Sequence, residues 1–216
     1  MKKLAVILFC LPTMVFAAGG GNEHLASAPI NLKDRVSLQN GAKLFVNYCM
    51  GCHSAKYLRY ERMADDLGIP HDLVMENLNF TADRIGDTMS NSMDPKLAEQ
   101  WFGAPPPDLT LTARLRTPDW LYSYLVGFYP DDTRPYGYNN EVFPSVGMPH
   151  VMAGLEQELG DEKFKSAMAD LTNFLTYASE PVKLERERLG VYVLIFLFIL
   201  FWPAYFLKQE YWKDVH

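Results

Sequence analysis

The sequence predicts a mainly α-helical domain with long loop insertions, exported from the cell and held to its membrane by one C-terminal transmembrane helix. Three observations carry that expectation. Residues 1–17 read as a secretory leader, two amphipathic patterns bracket a long irregular middle, and residues 189–207 form an uncharged apolar run. With 216 residues, the chain can hold one domain with a real core and some additions. Its formal net charge of −6 argues against a nucleic-acid partner and suits a basic protein partner.

The first segment is MKKLAVILFCLPTMVFA. Lys2 and Lys3 precede an apolar stretch at residues 4–11, and Ala17 ends a small-residue cleavage site, so residues 1–17 are expected to be a signal peptide. An uncleaved anchor is the alternative, but the apolar run is short for a span and Pro12 interrupts it. Phe9 is too large a neighbour for Cys10 to be a lipoprotein site. Cleavage would remove two of the 20 basic residues and none of the 26 acidic ones, taking the net charge from −6 to −8. Of the three cysteines, only Cys49 and Cys52 would remain.

That pair lies in NYCMGCHS, where His53 directly follows Cys52. In an oxidising compartment a cysteine pair usually closes into a disulfide. Cys-x-x-Cys-His, however, is the attachment pattern for c-type haem. Two thiols about one helical turn apart can both add to haem vinyl groups. The histidine that follows then supplies an imidazole to the iron. The competing readings are a redox dithiol, which has no need of the histidine, and half of a zinc site. A zinc site requires a second pair of ligands, and no cysteine follows Cys52.

An iron that only passes electrons takes a sixth ligand from the protein. Met148, in VFPSVGMPHVMAG, is the leading candidate. Gly147 and Pro149 flank it and deny it a regular helix, so a loop can carry its thioether over a flat ring. A soft thioether raises the potential. Met152, His150 and an open site are the alternatives, with core packing the better expectation for Met152.

The flanking helices follow from periodicity. Residues 37–52 place Leu38, Ala42, Phe45 and Cys49 on one face, with Gly41 beside it to allow close helix approach. Residues 161–179 place Phe164, Met168, Leu171, Phe174 and Leu175 on one stripe, with Asp161 and Glu162 at the start and Glu180-Pro181 at the end. Between them, GAPPPDLTLT at 103–112 holds the backbone extended, either along a haem edge or as a stiff surface loop. Arg114 and Arg116 follow, and guanidinium groups are natural partners for haem propionates. Asn79-Phe80-Thr81 fits a glycosylation sequon and carries little weight here.

The run LGVYVLIFLFILFWPAYFL carries no charge over 19 positions. At ~1.5 Å per residue it reaches roughly 28 Å, close to a hydrocarbon core. Tyr192, Trp202, Tyr205, Tyr211 and Trp212 supply aromatics near its ends, and Pro203 is tolerable in a membrane. The expected organisation is therefore a signal peptide at 1–17, a periplasmic haem domain at 18–188, a transmembrane helix at 189–207 and a cytoplasmic tail at 208–216.

Taken together, GAKLFVNYCMGCHSAKYLRY, GAPPPDLTLTARLR, YNNEVFPSVGM and the single span after SEPVKLERERLG resemble the cytochrome c1 family, in its bacterial form. The members are the haem subunits of ubiquinol–cytochrome c oxidoreductase, the cytochrome bc1 complex. The resemblance runs from about Leu32 onward. It implies a class I cytochrome c-like haem domain, whose first and last helices cross and pack. It also implies one covalent haem c on Cys49 and Cys52, with His53 proximal and Met148 distal. Arg116 would meet a propionate, with Arg114 as the neighbouring candidate, although Thr117-Pro118 makes a shorter turn there than in some members. The implied role is electron transfer, not catalysis by this chain alone, from a Rieske iron–sulfur subunit to a cytochrome c. Cytochrome b is the other implied partner, and the implied location is the inner membrane with the haem domain in the periplasm, anchored in lipid.

Overall fold

The computed structural model describes residues 25–214. The expected leader with Cys10, together with His24 and His216, lies outside that range. The first helix, α1 (Arg35–Leu44), starts where Asp34 Oδ1 accepts from the amides of Val36 and Ser37, both at 3.1 Å. It runs into one wide turn, Phe45–Cys49, in which the Met50 amide reaches back to Phe45 O at 2.9 Å. The helix expected over 37–52 therefore stops at Cys49. The next residues form a tight turn instead, with Cys49 O accepting from the amides of Cys52 (3.1 Å) and His53 (2.8 Å).

Strand β1 (Ala55–Arg59) leads into α2 (Tyr60–Leu67), which ends on Gly68 in the left-handed region at φ 70. A short α3 (His71–Asn77) follows, and β2 (Thr88–Met89) pairs antiparallel with β1, Ala55 opposite Met89. Next come α4 (Pro95–Phe102), capped by Asp94, then α5 (Thr112–Arg116) and α6 (Pro118–Val126). Strands β3 (Phe128–Pro130) and β4 (Tyr138–Asn140) pair antiparallel, with Phe128 opposite Asn140. The chain finishes with α7 (Ala153–Leu159), α8 (Asp161–Ser179) and α9 (Lys183–Tyr211).

The core forms where α1 packs on α8, as the family resemblance implied for the first and last helices of the domain. Leu38, Ala42 and Phe45 meet Met168, Leu171, Phe174 and Leu175, all buried. Gly41 is the contact point. A Cβ there would lie 2.1 Å from Asp170 O and 2.6 Å from Phe174 Cβ, so no side chain fits without moving a helix. Phe45 and Phe174 pack with ring centroids 5.7 Å apart. Asn173 Nδ2 donates to Asn31 O (2.9 Å) and Ser37 Oγ (3.1 Å), which ties the incoming strand of chain to the same crossing.

Helix α9 differs from every other element. It is long and apolar enough to cross a membrane, and none of its residues is buried in the protein. A soluble core helix would be covered, so exposure of Leu194, Phe196, Phe198 and Ile199 together fits a membrane anchor. The helix runs through Pro203 without a break.

Candidate haem site

The Cys49–His53 turn presents its three side chains at the end of α1. Cys49 is buried, Cys52 is half-buried, and neither is bonded to another cysteine. Burial, reinforced by the neighbouring Cys52, pushes the Cys49 thiol up to about 12. A thiol pushed up in this way is a poor nucleophile, so Cys49 lends a redox role no support. Among the described residues, no group of three His, Cys, Asp or Glu side chains could hold a metal ion, which removes the zinc alternative for them.

His53 is oriented by the proline run. Its Nδ1 lies 2.7 Å from Pro107 O and donates to it in the neutral tautomer, which leaves Nε2 with its lone pair free. Burial is the main influence that lowers the acidity range of this imidazole, opposed by the Pro107 carbonyl and by Asp108. A neutral ring with one nitrogen anchored on a carbonyl is the usual state of a metal-binding histidine. Three further bonds clamp the same run against the turn. Leu109 N donates to Ser54 O at 2.8 Å, Lys56 N to Asp108 Oδ2 at 2.9 Å, and Tyr57 N to Thr110 Oγ1 at 3.4 Å. The stiff GAPPPDLTLT segment thus lies along the Cys-x-x-Cys-His turn.

A cavity of about 250 Å³ opens beside Cys52, walled by Asn91, Met93, Pro105 and Pro106. Another of about 480 Å³ shares Asn91 and Met93 with it and extends over Val46, Met50 and Trp101. The Asn91 Nδ2 is buried with no acceptor in the protein. Unpaired thiols, a histidine nitrogen left free and an orphaned donor beside the open space fit a group that is covalently attached and rich in acceptors. The residues present therefore fit a haem c.

Met148 sits in a second cluster. Tyr124 Oη donates to its Sδ at 3.4 Å. The Tyr124 ring stacks on Trp120, centroids 5.1 Å apart at 12°, and the Arg116 guanidinium lies 5.2 Å over the Trp120 ring. Burial pushes the Tyr124 phenol up to about 12. The loop that delivers Met148 is held from behind. Arg134 Nη2 donates to Ser145 O (2.8 Å) and Val146 O (3.0 Å). Asn139 Oδ1 accepts from Ser145 N (2.9 Å), while Asn140 Oδ1 accepts from Val142 N (3.0 Å) and Phe143 N (3.2 Å). Asn140 Nδ2 donates to Tyr124 O at 2.7 Å, which joins the loop to α6.

The rival ligands are packed elsewhere, although the buried Nδ1 of His150 has no hydrogen-bond partner among the described residues. Met152 is fully buried within the core, as expected. His150 stacks on Phe128 at 4.7 Å and 7°, and its Nε2 lies 2.8 Å from Glu156 Oε2. The two arginines diverge as well. Arg116 lies with the Met148 cluster, whereas Arg114 acts on Glu180, whose carboxyl is held below its ordinary range first by the Arg186 hydrogen bond and secondarily by Arg114 and Lys183. Asn79 is 8% exposed and its amide bonds inward to Ala82 O, so it does not present a glycan acceptor.

Sequence reasoning missed Pro107, Tyr124, Trp120, Arg134, Asn139 and Asn140. Only the asparagines left a signal, because consecutive Asn residues before a proline-containing loop favour side-chain-capped turns.

Comparison with known proteins adds the lineage. The model of the family described as "Cytochrome C1 family" matches residues 74–215. "Cytochrome c1" of Allochromatium vinosum is 50% identical, across 100% of both chains. A protein of Nitrosomonas europaea named "Ammonia monooxygenase gamma subunit" is 39% identical, over 100% of this chain and 99% of that one. "Cytochrome c1, heme protein, mitochondrial" of Kluyveromyces lactis is 30% identical, over 92% of this chain and 77% of its own.

Proposed function

The chain belongs to the cytochrome c1 family, and from that premise we propose that it is the membrane-anchored carrier that takes single electrons from a Rieske iron–sulfur subunit and passes them to a cytochrome c. Members of the family carry one covalent haem c and serve as electron-transfer subunits of the cytochrome bc1 complex, an oxidoreductase only when assembled. The haem, when bound, supplies a one-electron ferric/ferrous couple.

The chain's own residues have distinct tasks in this reading. Cys49 and Cys52 hold the group through thioethers. His53 presents Nε2 as the proximal donor, kept in register by the Pro107 carbonyl. Met148 presents its thioether as the distal donor, on a loop fixed by Arg134, Asn139 and Asn140. Arg116, at the edge of the Met148 cluster, would pair with a propionate; Arg114, whose charge helps to hold the Glu180 carboxyl down, is the weaker candidate. With His53 and Met148 both holding the group, no place would be left on the metal for a substrate, and the chain would serve one-electron transfer alone. The observation that carries the reading is the His53 ring, anchored on one nitrogen and free on the other, beside two unpaired thiols.

Export places the domain in the periplasm of a bacterial inner membrane, with α9 as the single anchor in lipid and residues after 207 on the cytoplasmic side. The test is purification in mild detergent with identification of the accompanying chains and a haem stain after denaturation. Cytochrome b and a Rieske protein, with pigment retained on this chain, are the expected result. A different set of partners, or pigment lost on unfolding, would overturn the assignment. Cys49→Ala and Cys52→Ala are each expected to impair covalent maturation in the same stain.

A further inference from the structure

We infer that Tyr124 is a positioning residue that sets the reduction potential by donating a hydrogen bond to the Met148 sulfur. The inference rests on Met148 being the distal ligand, as proposed above. Four observations carry it. Tyr124 Oη is 3.4 Å from Met148 Sδ, within reach for a sulfur acceptor. Among the described residues, that sulfur is the hydroxyl's one hydrogen-bond partner, whereas the hydroxyl of Tyr60, near Met50 Sδ, is shared with Thr81. The Tyr124 ring cannot swing away, since Trp120 stacks on it at 5.1 Å and Phe128 closes its edge at 5.2 Å. Finally, Asn140 Nδ2 holds the Tyr124 carbonyl at 2.7 Å, so the donor and the loop that carries the acceptor are fixed to each other.

The chemistry gives the sign. A thioether sulfur has two lone pairs, one for a metal and one that can accept a proton donor. Density drawn toward the hydroxyl is density withheld from the metal. The oxidised state, with one more positive charge, depends more on that density and is weakened more. The hydrogen bond therefore favours the reduced state and raises the potential. A neutral hydrogen bond of this kind is worth about threefold to tenfold in an equilibrium constant. At 59 mV per tenfold for one electron, that is about 30–60 mV.

Tyr124→Phe removes one oxygen and keeps the ring packing. The experiment is a redox titration of the detergent-purified complex, with the near-infrared methionine–iron band and a haem stain recorded alongside. Met148→Leu comes first and is expected to abolish that band. A wild type without the band, or a Met148→Leu form that keeps it, would sink the ligand assignment and this inference together. With the ligand secured, Tyr124→Phe is expected to keep the band and lower the potential by about 30–60 mV. Tyr124→Leu, a second donor-free form, is expected to lower it in the same direction. An unchanged or raised potential in either would overturn the inference while leaving Met148 as ligand. A potential that falls only together with loss of the band would mark a structural role and overturn it too.

Discussion

Asn140 holds the loop that carries Met148, the proposed distal ligand. The residue is wholly buried, and its side chain makes three hydrogen bonds, to Val142 N, Phe143 N and Tyr124 O. Asn140→Ala would strand those backbone groups, at about 1–3 kcal/mol for a buried unsatisfied site. The strain falls on the loop that ends in Met148, so the expected outcome is partial loss of the thioether from the metal. Carbon monoxide added to the reduced protein checks it: the variant is expected to bind carbon monoxide where the wild type does not. The candidate haem residues Cys49, Cys52 and His53 could be named from sequence, because they stand close together and their spacing has a local reason. Met148 could be named as a candidate from Gly147 and Pro149, which exclude helix. The supports were not. Pro107 acts through its carbonyl, which no residue type announces, and Tyr124 and Trp120 read as one more aromatic face until the loop from 141 to 148 is folded over them.

At the level of elements, the crossing of α1 and α8 is the most demanding contact in the fold. Gly41→Ala would push a methyl against Asp170 O and Phe174 Cβ, two neighbours that belong to the interior of a long helix and cannot yield cheaply. Overpacking of this sort costs about 1–3 kcal/mol. The expected outcome is a lower thermal midpoint for loss of the visible circular dichroism of the haem domain, with the spectrum at low temperature unchanged. Both helices could be read in advance, since each repeats apolar residues at a spacing that only a helix satisfies. The end of α1 could not. The wide turn at Phe45–Cys49 shifts the register by one residue, so Cys52 leaves the helix and sits in the turn closed on Cys49 O. Strands β1 to β4 were also invisible. They are two to five residues long, carry no sustained alternation and exist through pairing across long intervals.

Across the whole molecule, charge and anchoring set the conditions for electron delivery. Several acids that look available are already committed: Asp66 accepts from Tyr177 Oη (2.7 Å) and pairs with Arg62 (2.6 Å), and Asp131 accepts from Thr133 and Asn139. The net charge of −6 still favours a basic cytochrome. The rate of its reduction is therefore expected to fall as salt rises toward 0.15 M, where the screening length shrinks to about 8 Å; stopped-flow traces over a salt series check this. Anchoring is separable from folding. α9 adds no buried residue to the core, and α8 joins it through only Glu180, Pro181 and Val182. Ending the chain at residue 181 loses the Arg186–Glu180 pair at 2.6 Å and the bond from Lys183 N to Glu180 O at 3.1 Å. Arg186 is largely exposed, so water screens that pair and its loss costs the domain little. A chain stopped there is expected to leave the membrane fraction, keep its haem through denaturation and retain the near-infrared band. Retention in the membrane would show a second anchor, such as an uncleaved leader. Release as an aggregated chain without haem would mean that α9 supports the domain through contacts outside this chain.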